Sequence, residues 1–158
     1  MSLRKRLIGS SLLVGLSLAI ANPRASGGAT SRDLAVVVNP GVGVKQLSAS
    51  ELESIFTSTR RSWPDGSNVS VFTYPPEAQV RQAFDGVVLR MSPEEVARFW
   101  LDQRIRGGAR PPRQVPDPGL AVRLAAKLPG SIAYVPENLV NDTVKVVARI
   151  RSGKVVGP

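Results

Sequence analysis

The chain has 158 residues, of which 42% are hydrophobic and 21% are charged, and its formal net charge is +9. This length and composition indicate one globular domain with a modest core. The absence of cysteine excludes disulfides and a thiol nucleophile, and the absence of histidine excludes a Ser-His-Asp triad and the commonest zinc ligand. We therefore expect a protein that is not an enzyme and needs no cofactor.

The first 21 residues have the pattern of a secretory signal peptide. Arg4, Lys5 and Arg6 precede an apolar run of 15 residues, Leu7 to Ala21, which ends in the small-x-small cleavage motif Ala-Ile-Ala. The alternative is an uncleaved membrane anchor, which would need about 20 apolar residues. We predict cleavage near Ala21 and a periplasmic or secreted protein.

The predicted mature chain remains basic. Cleavage removes three of the 21 basic residues and none of the 12 acidic ones, which leaves a net charge of +6 on 137 residues. Export and positive charge together favour anionic partners, such as phosphate, another oxyanion, or a lipid or glycan surface, over nucleic acid. Residues 22–33 are rich in small and polar residues and predict a flexible lead-in before a single domain over residues 34–158.

Strand and helix signals alternate along that domain. In chain order they predict strand Leu34–Asn39, helix Ser48–Ser58, strand Val69–Tyr74, helix Gln79–Leu89, helix Ser92–Arg106, an extended loop Arg110–Pro118, helix Pro118–Leu128, strand Ser131–Val135, strand Val144–Ile150 and a short last strand at Val155–Val156. The unbroken apolar first strand is typical of a parallel sheet buried on both faces. We predict a three-layer α/β lobe with a small mixed, largely parallel sheet, in which the first two strands pair in parallel.

The loop that leads into the second predicted helix is the candidate ligand site. In α/β sheets, ligands bind at the carboxyl ends of strands, where free N–H groups at helix N-termini favour anions. The candidate donors are the backbone N–H groups of Ala78, Gln79 and Val80 and the side chains of Gln79, Arg81 and Tyr74. The competing interpretation is that the Glu77 carboxylate caps this helix and repels an anion. No metal site is predicted.

Two other groups of residues have a structural and a functional interpretation. Trp63 and Trp100 lie beside apolar helix faces, so core packing is favoured over a ligand platform. A cluster of basic side chains extends over the third predicted helix and the loop after it, interrupted by a single acid: Arg98, Arg104, Arg106, Arg110 and Arg113, with Asp102 among them. These arginines either form a solvated surface or face an anionic partner.

Several segments, in their order, resemble the periplasmic phosphate-binding proteins of ABC transporters. They are Leu47 with Leu52 and Ile55-Phe56, then Trp63 with Asp65-Gly66, a valine-rich strand, Arg81-x-x-Phe84, and finally Pro129-Gly130-Ser131-Ile132-Ala133-Tyr134-Val135. The last segment is similar to that family's T-P-G-A-I-G-Y-V. The family's Ser-Gly-Thr, which binds phosphate just before the position of Arg81, is replaced here by Ala78, Gln79 and Val80.

The resemblance implies the fold of one lobe of a type II periplasmic binding protein. It also implies a non-enzymatic function in binding, uptake or sensing of phosphate or another oxyanion, with a transporter permease or an envelope sensor as partner. Because the second lobe and both hydroxyls of the loop are missing, the implied binding is weak. The alternative is an envelope interaction module that has lost the ligand and uses the Arg98–Arg113 surface.

Overall fold

The computed structural model describes residues 33–158, so the predicted signal peptide and the lead-in up to residue 32 lie outside the described residues. The elements are β1 (Leu34–Val38), α1 (Ala49–Phe56), β2 (Ser70–Thr73), α2 (Gln79–Phe84), α3 (Pro93–Ile105), β3 (Arg113–Gln114), α4 (Pro118–Lys127), β4 (Ser131–Pro136), β5 (Lys145–Arg151) and β6 (Lys154–Val156). A π-helical turn, Asp85–Leu89, continues α2, and a 3-10 turn, Glu137–Leu139, follows β4.

The six strands form one mixed sheet in the order β3-β2-β4-β1-β5-β6. The predicted α/β lobe with a mixed sheet is confirmed. The sheet is not largely parallel, however, because β1–β4, β1–β5 and β5–β6 are antiparallel and only β2–β3 and β2–β4 are parallel. The predicted parallel pairing of the first two strands is wrong, since β4 lies between them. All five residues of β1 are buried, and an unbroken apolar run indicates burial on both faces but not strand direction.

Helices cover both faces of this sheet and make three layers. Neighbouring side chains of a strand point to opposite faces. On β4, the ring of Tyr134 packs against Phe56 of α1 and Phe84 of α2, with ring centroids 5.5 and 3.8 Å away. The Ser131 hydroxyl, on the other face, donates to the Ala125 carbonyl of α4 at 3.1 Å. The core therefore lies between the sheet and α1 with α2 on one side, and between the sheet and α4 on the other.

Side-chain caps define the start of three helices, as the sequence predicts. Ser48 and Ser92 each form a complete capping box with a glutamate three residues later, at the starts of α1 and α3. The Asp117 carboxylate accepts the Leu120 N–H at 2.8 Å and caps α4. These local bonds fix the directions in which the helices leave their loops.

Gly130 joins α4 to β4 at a point where only glycine fits. Its φ is +71°, and a Cβ there would collide with the backbone oxygen of Asn68. The close approach lets the Gly130 carbonyl accept the indole N–H of Trp63 at 2.9 Å and the N–H of Ser70 at 3.0 Å. Trp63 is only 3% exposed, so its interpretation as a core residue is confirmed.

Two details differ from the predicted elements. The proline-rich stretch is not entirely loop, because β3 forms in it and extends the sheet beside β2. The spacing of Val80, Ala83, Phe84, Val87 and Val88 predicts one buried apolar stripe on the second helix. Ala83 is nevertheless exposed, whereas Arg81 and Asp85 are buried. The buried face of this helix is therefore mixed. It contains the Arg81–Asp85 ion pair as well as the apolar side chains of Phe84 and Val88. Among residues 33–158, no helix is long and apolar enough to cross a membrane.

Candidate functional site

The predicted ligand loop lies where β2 ends and α2 begins, next to the parallel strand β4. Tyr74, the first residue of this loop, is 1% exposed, and its hydroxyl donates to the Tyr134 carbonyl at 2.6 Å. Burial raises the pKa of the Tyr74 hydroxyl, so it stays protonated and committed to the core. The side chain of Tyr74 therefore anchors the loop to the sheet and does not point a donor at the solvent.

The three predicted backbone donors divide into two groups. The N–H of Ala78 donates to the Pro75 carbonyl at 3.0 Å and closes a turn. The N–H groups of Gln79 and Val80, at the start of α2, have no hydrogen-bond partner within residues 33–158. The side chain of Gln79 is exposed, and that of Val80 is half-buried. The sequence therefore identified two available donors and one that the loop uses itself.

Glu77 does not cap α2. The N-terminal cap position of this helix is Ala78, and no side chain accepts a hydrogen bond from the first turn. Glu77 is exposed one residue earlier. The competing interpretation of this glutamate as the cap is wrong, and α2 differs in this respect from α1, α3 and α4. The first turn is left open to an external acceptor.

Arg81 is held inside the protein by two contacts. Its side chain is 10% exposed, its Nε lies 3.1 Å from Oδ2 of Asp85, and its Nη1 donates to the Tyr74 carbonyl at 2.7 Å. The second guanidinium nitrogen, Nη2, has no hydrogen-bond partner in the part of the chain that the structure describes. Arg81 therefore retains one free end, while its charge is balanced by Asp85.

Burial and ion pairing shift the pKa of the Asp85 carboxyl in opposite directions. Desolvation raises the pKa of the Asp85 carboxyl above its usual range, and the charge and hydrogen bond of Arg81 only partly offset this rise. The surroundings are aromatic, because Phe84 stacks on Tyr134, whose hydroxyl is hydrogen-bonded to that of Thr73 at 2.7 Å. The pair is thus a neutral unit set in an apolar wall, which weakens the positive field at the loop.

A narrow cleft beside Arg81 separates α2 from the start of α3. It holds about 40 Å³, and its lining includes Arg81 and Asp85 on one side and Pro93 and Val96 on the other. Gln79 and Val80 are not part of this lining. A few water molecules fit such a volume, so the cleft does not itself bring all the predicted donors around one ligand.

The predicted arginine cluster lies on the surface and extends from the middle of α3, through the loop after it, to the start of β3. Its five members are exposed: Arg98, Arg104, Arg106, Arg110 and Arg113. The ion pairs found within residues 33–158 involve other arginines: Arg60, Arg81, Arg149 and Arg151. Trp100 is half-buried and meets Phe99 edge-on, with centroids 4.9 Å apart. Trp100 is thus a boundary residue of α3.

The residues described contain no group of three carboxylate, cysteine or histidine side chains that could hold a metal ion.

Asp85 is the member of the site that sequence reasoning missed. The spacing of Arg81 and Asp85, four residues apart, was a readable signal for an ion pair on one helix face. The signal was overlooked because an apolar stripe on the same helix explained the fold without it.

Solved structures with the same fold include phosphate-transport proteins. The chain aligns with an ABC-type phosphate transport receptor from Vibrio cholerae at 18% identity, with a TM-score of 0.58, over 72% of this chain and 44% of the receptor. A putative phosphate ABC transporter substrate-binding protein with bound phosphate from Clostridium perfringens gives 19% identity and a TM-score of 0.59, over 72% and 43% of the two chains. PstS from Borrelia burgdorferi gives 14% identity and a TM-score of 0.56, over 72% and 46%.

No protein-family model matches the chain, and no curated protein matches it either. At these identities the structural likeness shows the fold, which is that of a single lobe of a PstS-like periplasmic binding protein. The chain spans less than half of the length of the solved structures it matches.

Proposed function

We propose that this protein is an exported, non-enzymatic solute-binding domain that takes up a small oxyanion, with phosphate as the first candidate. The fold supports this proposal, because the solved structures that share it include phosphate-transport proteins. The predicted signal peptide supports export to the periplasm or beyond. A transporter permease or an envelope sensor is the kind of partner that such a domain would serve.

The uncapped start of α2 is the observation that carries the proposal. Three helices of this domain use a side chain to satisfy their first N–H groups, and α2 does not. The free N–H groups of Gln79 and Val80 follow a strand that ends beside a parallel neighbour, which is where α/β sheets bind ligands. An oxyanion is the acceptor that suits such donors, because the helix dipole also favours negative charge.

The same geometry limits the affinity. Two backbone donors and one free end of Arg81 are fewer groups than a phosphate can accept, and Asp85 balances the charge of Arg81. Ala78 and Val80 offer no hydroxyl. The matched part of the phosphate-transport structures is less than half of their length, so nothing in the described domain encloses the ligand. We therefore propose weak binding that a partner, or a second copy of the chain, strengthens.

The test removes one donor without disturbing the fold. Proline is well tolerated at the first helical position, and Ala78 already has the extended backbone, with ψ 123°, that must precede a proline. Gln79→Pro therefore deletes a free N–H and leaves the helix intact. Titration of phosphate into the chain from Asn22 onward, by calorimetry at low and at physiological salt, is expected to show binding that Gln79→Pro weakens.

Ala49→Pro is the matched control, because Ala49 is the first residue of α1 and follows an extended Ser48. It deletes an equivalent N–H in a helix that has its own cap. Phosphate binding is expected to be unchanged in this variant. Absence of heat at millimolar phosphate in the parent protein would contradict the proposal, and so would equal losses in the two proline variants.

The alternative function, an envelope interaction module without a ligand, also has an observation in its favour. The guanidinium groups of the Arg98–Arg113 segment are exposed and make no ion pair with the described residues, whereas Arg81 is buried, pairs with Asp85 and donates to the Tyr74 carbonyl. A protein that binds no phosphate but loses its partner when these arginines are replaced would be such a module.

A further inference from the structure

The outer side of α3 is an unpartnered surface of unusual composition. Leu101 is 52% exposed and Ile105 is 74% exposed, one helical turn apart on the same side of the helix. Val96 is the one residue of α3 that is fully buried. We define the α3 surface by its two apolar and four basic side chains: Leu101, Ile105, Arg98, Arg104, Arg106 and Arg110.

The charges of this surface are available to a partner. None of its arginines forms an ion pair within residues 33–158, although ion pairs occur elsewhere in the same range. Asp102 is the one acid between Val96 and Asp117, against five arginines. Arg104 and Arg110 line a shared depression with Gly107 and Gly108 at the end of the helix. The surface therefore combines two protruding aliphatic side chains with a dense positive field.

We propose that the α3 surface docks this domain on the surface of a membrane that contains anionic phospholipid. Aliphatic side chains such as Leu101 and Ile105 suit the boundary between head groups and acyl chains, and guanidinium groups bind phosphates in pairs of hydrogen bonds. A helix of 13 residues lies on such a surface and does not cross it. The α3 surface shares no residue with the Gln79–Arg81 loop, and the proposed docking does not require that loop's ligand.

Area and charge favour a membrane over a protein occupant. A stable protein partner needs about 800 Å² on each side with a packed apolar centre, and two exposed aliphatic side chains on a convex helix do not supply that centre. A second copy of this chain would bring together two equally basic surfaces. A membrane needs no matching shape, and its anionic head groups complement the four arginines.

The first experiment measures partitioning onto vesicles. The chain from Asn22 onward keeps every strand and helix described here and lacks the apolar N-terminal segment, which would itself bind lipid. We expect it to cosediment with vesicles of phosphatidylglycerol and phosphatidylcholine, and not with vesicles of phosphatidylcholine alone. Each basic residue near an anionic surface strengthens partitioning by about fivefold, so R104Q/R110Q is expected to weaken it by roughly 25-fold.

The matched control removes the same charge from α4, which covers the face of the sheet opposite to α1 and α2. Arg123 and Lys127 are both exposed on α4, and R123Q/K127Q is expected to change partitioning by less than about fivefold, the share of a single basic residue at the surface. Equal losses in the two double variants would overturn the proposal, because they would show attraction by net charge alone. Absence of binding to the phosphatidylglycerol vesicles would overturn it as well.

A second pair of variants tests the apolar contact at constant charge. L101S/I105S is expected to weaken partitioning at physiological salt by tenfold or more, whereas Leu139→Ser, at a 40% exposed leucine elsewhere, leaves it unchanged. Soluble polyglutamate distinguishes an acidic protein from a membrane. If the chain binds polyglutamate as strongly as vesicles, and L101S/I105S weakens neither, the surface is a site for an acidic protein and the membrane proposal fails.

Discussion

Arg81 and Arg104 show what the same side chain does in two environments. Arg81 is buried and is fixed by Asp85 and the Tyr74 carbonyl, beside the stacked rings of Phe84 and Tyr134. Arg104 is exposed near the end of α3 and has no ion pair with the described residues. The first arginine belongs largely to the fold, and the second is free for a partner.

This difference changes how positive charge is interpreted in the protein. In the sequence, Arg81 stood in a ligand loop and the arginines of α3 stood on a solvated helix, so the loop was the stronger candidate for an anion. In the structure, the loop charge is neutralised and the α3 charges are not. Long-range attraction of an anionic partner should therefore come from α3, and the loop should contribute short-range hydrogen bonds.

The largest expected effect breaks the buried pair. Arg81→Met removes the cation and leaves the Asp85 carboxylate uncompensated in an apolar site, which costs about 3 kcal/mol or more in the free energy of unfolding. Urea denaturation followed by circular dichroism measures it. Arg104→Met is the control on the exposed side and is expected to unfold at the parent's urea concentration. Equal midpoints for the parent and Arg81→Met would show that the pair does not stabilise the fold.

A pH series sharpens the comparison, because burial raises the pKa of Asp85. The folded protein then binds this proton more tightly than the unfolded chain, whose carboxyl titrates near 3.8. As the pH falls through the raised pKa, Asp85 becomes protonated and the wild type no longer carries the cost of a buried carboxylate charge. Asp85→Asn carries no such charge at any pH. We expect the wild type to gain free energy of unfolding relative to Asp85→Asn between neutral pH and about pH 4.

For Glu137 the expected change of stability with pH has the opposite sign to that for Asp85. Hydrogen bonds from Arg151 and Arg149 hold the pKa of Glu137 below its usual range, so its stabilisation is present above pH 4.5 and declines as the pH falls through the lowered value. The wild type is therefore expected to lose stability relative to Glu137→Gln on acidification. If the wild type and its variant show parallel pH profiles of stability in either pair, the pKa shift assigned to that carboxyl group is contradicted.

Much of the fold was predictable because it rests on local signals. The capping boxes at Ser48 and Ser92, the Asp117 cap and the apolar run of β1 placed the helices and strands near their observed positions. Strand order was not predictable in the same way. The antiparallel position of β1 between β4 and β5 depends on contacts between distant residues, which periodicity within one segment does not encode.

The candidate site was predictable only in part. The position of the Gln79 and Val80 N–H groups follows from the strand-loop-helix order, and the structure leaves both without a partner within residues 33–158. The engagement of Arg81 depends on burial of Asp85, where a π-helical turn follows α2. Such a turn has no clear sequence signature, and the apolar residues around it predicted an ordinary amphipathic helix.

The helix caps offer a smaller and more local comparison. Ser48→Ala removes the cap of α1, whose Leu52, Ile55 and Phe56 are buried, and is expected to lower the free energy of global unfolding by about 1 kcal/mol. Ser92→Ala removes the same cap from α3, which buries only Val96, so the loss is expected mainly as local opening. Hydrogen exchange distinguishes the two, with faster exchange confined to α3 amides in Ser92→Ala. Uniformly faster exchange in both variants would show that α3 unfolds with the core.

The smallest expected effect is that of replacing Leu101, on the outer side of α3. Leu101 is half exposed and Val96 is 2% exposed, although both are aliphatic and lie five residues apart on one helix. Leu101→Ser is expected to change the free energy of unfolding by less than about 0.5 kcal/mol, because the exposed side chain makes few packing contacts that the substitution could remove. Val96→Ser is expected to cost about 2 kcal/mol, since a buried aliphatic group is lost beside Arg81 and Asp85. Urea unfolding of both variants measures this contrast. A large loss for Leu101→Ser would mean that its side chain packs within the folded chain, and the α3 surface would then lack the free aliphatic contact that membrane docking requires.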